Sequence, residues 1–417
     1  MPSLIWDSKS PPHATPGEIS LNSIIYPQGG GYPGGKPENR LIYGDNLAIM
    51  AALLPEYEGK ISLIYIDPPF FSNKKYQTRL DRGKDSRRPK DWQLAQGYTD
   101  HWVDMDSYLD MLYPRLALMY RLLAPTGTLY LHLDWHANAY ARLLLDEIFG
   151  ADRLLNEIIW TYHGPSPIKS AFNRKHDTIL SYTKTKDYIF NVDDIREPYN
   201  PNTVKTFKSS KKAGFGKVPN LKRGKVPEDW WYFPVVARLH NERTGYPTQK
   251  PGALLERIIR ASSNPGDIVA DFFSGSGTTA FHAAQLGRRF IASDSQWRAI
   301  HTSYKRLTDC PGAVFRFEQE AQTSIPQDNI DIRSEVSIQE KPGFPALQIT
   351  SSLAEQLDSW DVDPSWNGDT FHSAAQAVRP IRKGKIPTTI NLPAVGDRIK
   401  IRFVKISGEV MELELDV

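Results

Sequence analysis

The chain has 417 residues, too long for one average domain, so two or three compact units are expected. Its 51 Lys and Arg against 48 Asp and Glu leave a net charge of +3, a balance that by itself points to no partner. The single cysteine, Cys310, excludes an intramolecular disulfide framework and fits a reducing cytoplasm, while no apolar run approaches membrane-spanning length and no signal-peptide stretch opens the chain.

Residues 1–40 are rich in proline and glycine, as in Pro27-Gln28-Gly29-Gly30-Gly31-Tyr32-Pro33-Gly34-Gly35, and read as a flexible lead-in. Residues 45–54 predict a short helix behind the acid Asp45. The apolar run 61–66 predicts a buried parallel strand, and it ends in Asp67-Pro68-Pro69-Phe70. Two prolines remove two backbone donors and stiffen the turn, which holds a carboxylate and an aromatic ring at the edge where open α/β sheets bind ligands. Such a tetrapeptide suits a planar heterocycle with an exocyclic amine; as a bland alternative it is an ordinary loop.

A basic run follows, with Lys74, Lys75, Arg79, Arg82, Lys84, Arg87, Arg88 and Lys90. Leu109, Leu112, Leu116, Met119, Leu122 and Leu123 then repeat at helical spacing, before a strand over 128–133, a helix over 139–148, and strand-like runs at 157–162 and 178–182. Residues 161–245 break the alternation. This span is loop-rich and carries a second basic run that includes Lys211, Lys212, Lys222 and Arg223. Either run alone is a solvated surface; two of them flanking a base-binding turn read as phosphate contacts. Trp230-Trp231-Tyr232-Phe233 reads first as the packing of a small subdomain and second as base stacking.

A helix over 254–261 leads to the strand 268–270 and the turn Asp271-Phe272-Phe273-Ser274-Gly275-Ser276-Gly277-Thr278-Thr279. Its glycines let a ligand approach the backbone, and the helix that follows offers free N–H donors. Asp294 closes the next strand, 290–292, where an acid suits ribose hydroxyls. The glycine pattern alone does not separate a nicotinamide dinucleotide from S-adenosylmethionine. Residues 311–417 are acidic on balance and end in a hairpin, 399–406 and 409–415 around Ser407-Gly408. The alternation as a whole gives an α/β class, a mostly parallel sheet with helices on both faces.

Together, the two turns resemble those of the amino-methylating DNA methyltransferases, which act on N6 of adenine or N4 of cytosine. The catalytic motif preceding the cofactor motif resembles the beta class, including type III modification subunits. Tyr43-Gly44-Asp45-Asn46-Leu47 and Thr248-Gln249-Lys250-Pro251 add to the likeness, which spans about 41–307. It implies a Rossmann-like fold that binds S-adenosylmethionine, divided into a catalytic half (41–160), a target-recognition region (161–245), a cofactor half (246–310) and a β-rich accessory unit (311–417). It assigns Asp67, Pro68, Pro69 and Phe70 to catalysis. Asp271, Phe273, Ser274, Gly275, Gly277, Thr278 and Asp294 go to the cofactor, with Asp45, Asn46 and Lys250 as weaker members.

Direct methyl transfer to a flipped-out adenine follows, since Asp rather than Ser begins the catalytic motif; N4-cytosine is the alternative. Double-stranded DNA is the partner, and a homodimer or restriction subunit stays open. A C5-cytosine enzyme is rejected, because Cys310 precedes its proline and follows the cofactor motif. His132-Leu133-Asp134-Trp135-His136 lacks a third ligand, so no metal is expected. A nicotinamide oxidoreductase would leave Asp67–Phe70 idle, and a non-catalytic DNA-binding module is the third reading.

Overall fold

The computed structural model describes residues 3–80, 93–165, 168–209, 219–237, 240–339, 345–380, 384–392 and 395–417. Lys211, Lys212 and the first basic run from 82 to 90 lie outside these residues, as does the side chain of Arg79. The larger unit comprises, in chain order, β1 (Ile19–Ile25), β2 (Asn39–Tyr43), α1 (Asn46–Tyr57), β3 (Ile61–Ile66), β4 (Lys74–Leu80), β5 (Gln93–Asp100), α2 (Met105–Leu122), β6 (Leu123–Leu133), α3 (Asn138–Phe149), β7 (Leu154–Thr161), β8 (His176–Thr183), α4 (Pro201–Ser209), β9 (Trp230–Tyr232), α5 (Gly252–Ser262), β10 (Ile268–Asp271), α6 (Thr278–Gln285), β11 (Arg289–Asp294), α7 (Trp297–Leu307) and β12 (Phe315–Glu320). The remainder comprises β13 (Val336–Gln339), β14 (Ala346–Ile349), α8 (Ser351–Gln356), β15 (Leu357–Asp363), β16 (Phe371–Ser373), β17 (Ala375–Val378), β18 (Thr389–Asn391), β19 (Arg398–Lys405) and β20 (Val410–Asp416).

One sheet dominates, in the order β16-β1-β12-β2-β11-β10-β3-β6-β8-β7-β9. Its six central strands, β12 through β6, run parallel. Every residue of β3 is buried, because its alternate side chains meet helices on opposite faces. Ile64 packs with Met50 of α1, Leu112 and Leu116 of α2 and Leu145 of α3. Leu63 packs on the other side, with Leu254 and Ile258 of α5 and Ile300 of α7. The stripe expected from Leu109 to Leu123 is the buried face of α2 as far as Leu122, while Leu123 already opens β6; the helix start is fixed by a capping box between Asp104 and Ser107.

The lead-in reading of residues 1–40 is corrected. β1 pairs antiparallel with β12 and parallel with β16, and Trp6 is buried with its Nε1 donating to Asp110 Oδ1 at 2.7 Å. A short strand such as Ile19–Ile25, with Ser20, Asn22 and Ser23 interrupting its apolar residues, has little periodicity of its own and is stabilised by its ladder partners.

The accessory unit has its own core around Trp360, Phe403 and Ile401, and the expected terminal hairpin is β19 and β20. It is nonetheless joined to the larger unit: β16 extends the main sheet, Tyr304 of α7 donates to Asp361 Oδ2 at 2.8 Å, and Trp297 Nε1 donates to the Gly408 carbonyl at 2.7 Å.

Candidate active site

β3 and β10 are neighbours in the sheet, with Leu63 opposite Val269 and Ile64 opposite Ala270. Two turns separated by two hundred residues of chain therefore leave the same edge side by side. The turn after β3 carries the proline pair. Its Pro69 carbonyl accepts the Tyr108 hydroxyl at 2.8 Å. Beyond it, Phe71 and Asn73 lie at φ of 64° and 53°, a left-handed backbone that costs on the order of 1 kcal/mol or more per residue. One buried carboxylate holds this turn together. Asp100, at the end of β5, accepts from the N–H groups of Phe70, Phe71 and Ser72, the Ser72 hydroxyl and Trp102 Nε1, at 2.6–3.1 Å. Charge-assisted bonds of this kind offset the strain.

Asp67 faces into the cleft and forms an ion pair through Oδ2 with Lys250 Nζ. Its other oxygen, Oδ1, is buried and has no hydrogen-bond partner. Lys250 Nζ also lies 5.1 Å over the ring of Phe70, and His132 is stacked with the same ring at 5.8 Å. Lys250, grouped with the cofactor residues from the sequence, is thus paired with the proline turn while lining the same cleft as the glycine turn. Behind this turn runs a polar chain: the Tyr65 hydroxyl meets His132 Nδ1 at 2.8 Å, His132 Nε2 meets Asp177 Oδ2 at 3.3 Å, and Tyr162 donates to Asp177 Oδ1 at 3.0 Å. Burial works against the charge of Asp177, yet the hydrogen bond with His132 takes it below the ordinary carboxylate value. Among the described residues no cluster of ligands able to hold a metal ion is found.

The glycine turn after β10 is more self-contained. Asp271 accepts from Phe273 N at 3.0 Å and from the Thr279 hydroxyl at 2.6 Å, tying the strand end to the first turn of α6. Burial pushes Asp271 up to about 7 against those two hydrogen bonds, and the charge of Asp67 adds to the rise. Asp294 accepts from Gly275 N at 2.9 Å and Gln296 N at 2.8 Å, and burial pushes it up to about 6. Gly277, at φ 72°, caps α6 in the left-handed region, and a Cβ there would stand 2.6 Å from Ser303 Oγ of α7. That glycine is required by close packing with α7. The Thr278 hydroxyl accepts from Arg306 at 2.8 Å, so it too is engaged with α7. Asn46 donates to the Phe272 carbonyl at 2.7 Å, and Arg115 bonds both Asn46 and Asp45, which also caps α1.

These groups surround one cleft of about 350 Å³, lined among others by Asp45, Asn46, Asp67, Pro69, Lys250, Asp271, Phe273, Ser274, Gly275, Thr278 and Asp294. Pro68, Phe70 and Gly277 do not line it. The β4–β5 hairpin supplies a roof through Gly97 and Tyr98, with Tyr76 stacked on Tyr98 at 4.7 Å and the Tyr98 hydroxyl 3.3 Å from Thr248 Oγ1. Neither the hairpin nor Asp100 carried a signal in the sequence, since an acid at the end of a polar strand has no periodic mark. Lys74 and Lys75 are exposed on this hairpin. Lys222 is exposed elsewhere, and Arg223 is paired with Asp193 at 2.7 Å, near the C-terminal turn of α5 and away from Lys250.

Comparison with known proteins agrees with this geometry. A family model described as DNA methylase matches residues 61–305. The type II methyltransferase M.HpaI of Haemophilus parainfluenzae is 33% identical over 251 residues, 60% of this chain and 69% of that protein. The DNA adenine methyltransferase YhdJ of Escherichia coli is 31% identical over 277 residues, 66% of this chain and 84% of that protein. Among solved structures, the M1.HpyAVI–SAM complex aligns with a TM-score of 0.43 at 23% identity, covering 64% of this chain and 98% of that one. The cytosine-N4-specific PvuII DNA methyltransferase aligns at 0.44 and 18%, covering 66% and 89%. None of these is described as a type III subunit. With both turns lining one cleft and the family match spanning them, the chain belongs to the DNA methylase family and is a DNA methyltransferase that draws its methyl group from S-adenosylmethionine.

Proposed function

We propose that the protein methylates N6 of adenine in double-stranded DNA, by direct in-line transfer without a covalent enzyme intermediate. The observation that carries this reading is the buried, unpartnered Oδ1 of Asp67. A carboxylate oxygen left without a donor costs on the order of 1–3 kcal/mol or more, and such orphans mark places where a ligand completes the bonding. An exocyclic amine supplies the missing N–H. Lys250 on Oδ2 balances the charge while leaving Oδ1 free; a base stacking on Phe70 would have to displace Lys250 from over its ring.

The residues of the cleft fit S-adenosylmethionine. Asp294 would take the ribose hydroxyls, since its two oxygens lie in the cleft wall, held by the backbone N–H groups of Gly275 and Gln296. Phe273, Ser274, Gly275 and Asn46 would shape the remaining wall, with Asp271 bracing the turn. When bound, the cofactor supplies an electrophilic methyl group. The chain's own task is orientation: Asp67 accepts one amine N–H, the Pro68 carbonyl accepts the second, and the nitrogen lone pair is drawn out of the ring. Asp67 need not be a strong base for this. The base must leave the duplex, at a cost of a few kcal/mol offset by contacts elsewhere, a role we assign to the exposed Lys74 and Lys75, which stand opposite Asp100 and Thr99 in the β4–β5 ladder.

Among the described residues no helix is long and apolar enough to cross a membrane. The proposal is of a cytoplasmic enzyme; a second copy or a restriction subunit would be a further partner. Incubation with labelled S-adenosylmethionine and duplex DNA, followed by nucleoside analysis, tests it. N6-methyladenine is expected, with Asp67→Ala lowering turnover by about 10³-fold while cofactor affinity stays within a factor of two. A label on cytosine N4 would overturn the base assignment.

A further inference from the structure

The edge that carries Asp67 also carries an aromatic and basic surface outside the cleft. β6, β7 and β9 run parallel to β3, so the residues after Leu133 and Thr161 emerge beside the catalytic turn. Between β7 and β8, described residues 168–175 hold Lys169, Arg174 and Lys175 with no acid among them, and Phe172 in their midst is 99% exposed. This loop is braced at its base. Tyr162 N donates to the Lys175 carbonyl at 3.0 Å, and Lys175 Nζ donates to the Pro165 carbonyl at 2.9 Å. The Arg174 guanidinium lies 4.2 Å over the ring of Trp135, whose centroid is 3.8 Å from that of the tilted His136 ring, itself bonded to Asp134 at 2.8 Å.

An isolated exposed apolar side chain needs no explanation. Phe172 differs: it stands on a braced loop between cations, at the catalytic edge, two residues from Arg174, which is held over Trp135 in the turn after β6. A ligand with stacked apolar faces bordered by phosphates satisfies both halves of this surface.

We propose that Phe172 is a wedge that enters the base stack of duplex DNA where the target base leaves it, with Arg174 and Lys169 on the flanking phosphates. The inference rests on the DNA-methylation reading and deepens it. Apolar wedges replace the stacking lost when a base step opens, so the side chain acts on the extrusion of the base and leaves methyl transfer itself untouched. The wedge therefore matters only while the target base is paired.

The test compares wild type, Phe172→Ala and Phe172→Leu on two oligonucleotide duplexes carrying a site that the wild-type protein methylates. One has the target base paired, the other has it opposite a mismatch. Phe172→Ala is expected to lose about tenfold or more in kcat/KM on the paired duplex and to recover to within about twofold on the mismatched one. Phe172→Leu should retain most activity on both, and cofactor affinity and Tm should be unchanged in either variant. Equal activity of Phe172→Ala and wild type on paired DNA, or an equal loss on both duplexes, would overturn the wedge alone. Absence of any methyl transfer to DNA by the wild-type protein would instead overturn the underlying reading.

Discussion

The two turns of the cleft solve the same problem in opposite ways. Each follows a buried parallel strand, each enters left-handed backbone, and each must hold a polar group still at the sheet edge. The glycine turn after β10 does so mostly with its own residues: Asp271 binds Phe273 and Thr279 within the same turn, and glycines occupy the left-handed positions. The proline turn after β3 has no glycine where its backbone turns left-handed. It depends on Asp100, about thirty residues onward, and on Lys250 from the far side of the chain. A turn stabilised from within writes its requirements into a short motif; a turn stabilised from outside distributes them across the fold.

Breaking the external support should therefore have the largest effect. Asp100→Ala leaves three partly buried N–H groups and the Trp102 indole without an acceptor, so about 3 kcal/mol of stability should be lost. Methyl transfer should fall about 10²-fold as the Phe70 loop relaxes. Melting by circular dichroism and cofactor titration check this, because cofactor affinity, held by the other turn, should change far less.

The next largest effect tests the internal turn. Gly277→Ala forces a Cβ against Ser303 at φ 72°, for an expected loss of about 2 kcal/mol together with weakened cofactor binding. A second substitution, Ser303→Gly, should return part of the loss in thermal unfolding. If the single variant is as stable as wild type, the close approach of α6 to α7 does not govern the turn.

The pH dependence sharpens the contrast further. Asp294 titrates at about 6 and is a better acceptor for ribose hydroxyls when ionised, so cofactor affinity should rise as pH rises through 6 and level off above it. Asp294→Asn should flatten that part of the profile and weaken binding by about tenfold at pH 8, as read by calorimetry.

The smallest effect concerns stability. Asp271 binds its proton more tightly folded, at about 7, than at its ordinary 3.8, so in the cofactor-free protein its contribution to folding falls as pH rises between those values. Thr279→Val removes a donor to the ionised form and should steepen the fall by about 1 kcal/mol, visible in denaturant midpoints between pH 5 and 8.

Much of this was legible in the sequence for a physical reason: apolar period and turn chemistry are local. The run 61–66 fixed a doubly covered strand, the glycines and Asp271 fixed a ligand-facing turn, and the alternation of elements fixed a parallel sheet. The stripe from Leu109 to Leu122 likewise determined which face of α2 is buried. What only the tertiary structure decided were contacts between groups distant in the chain. It decided that Lys250 sits on Asp67, that Asp100 gathers the N–H groups of Phe70, Phe71 and Ser72, that β1 and β16 extend the sheet, and that Arg223 is bound to Asp193. A charged side chain carries no local mark of its partner, because its energy depends on what burial brings within a few ångströms of it.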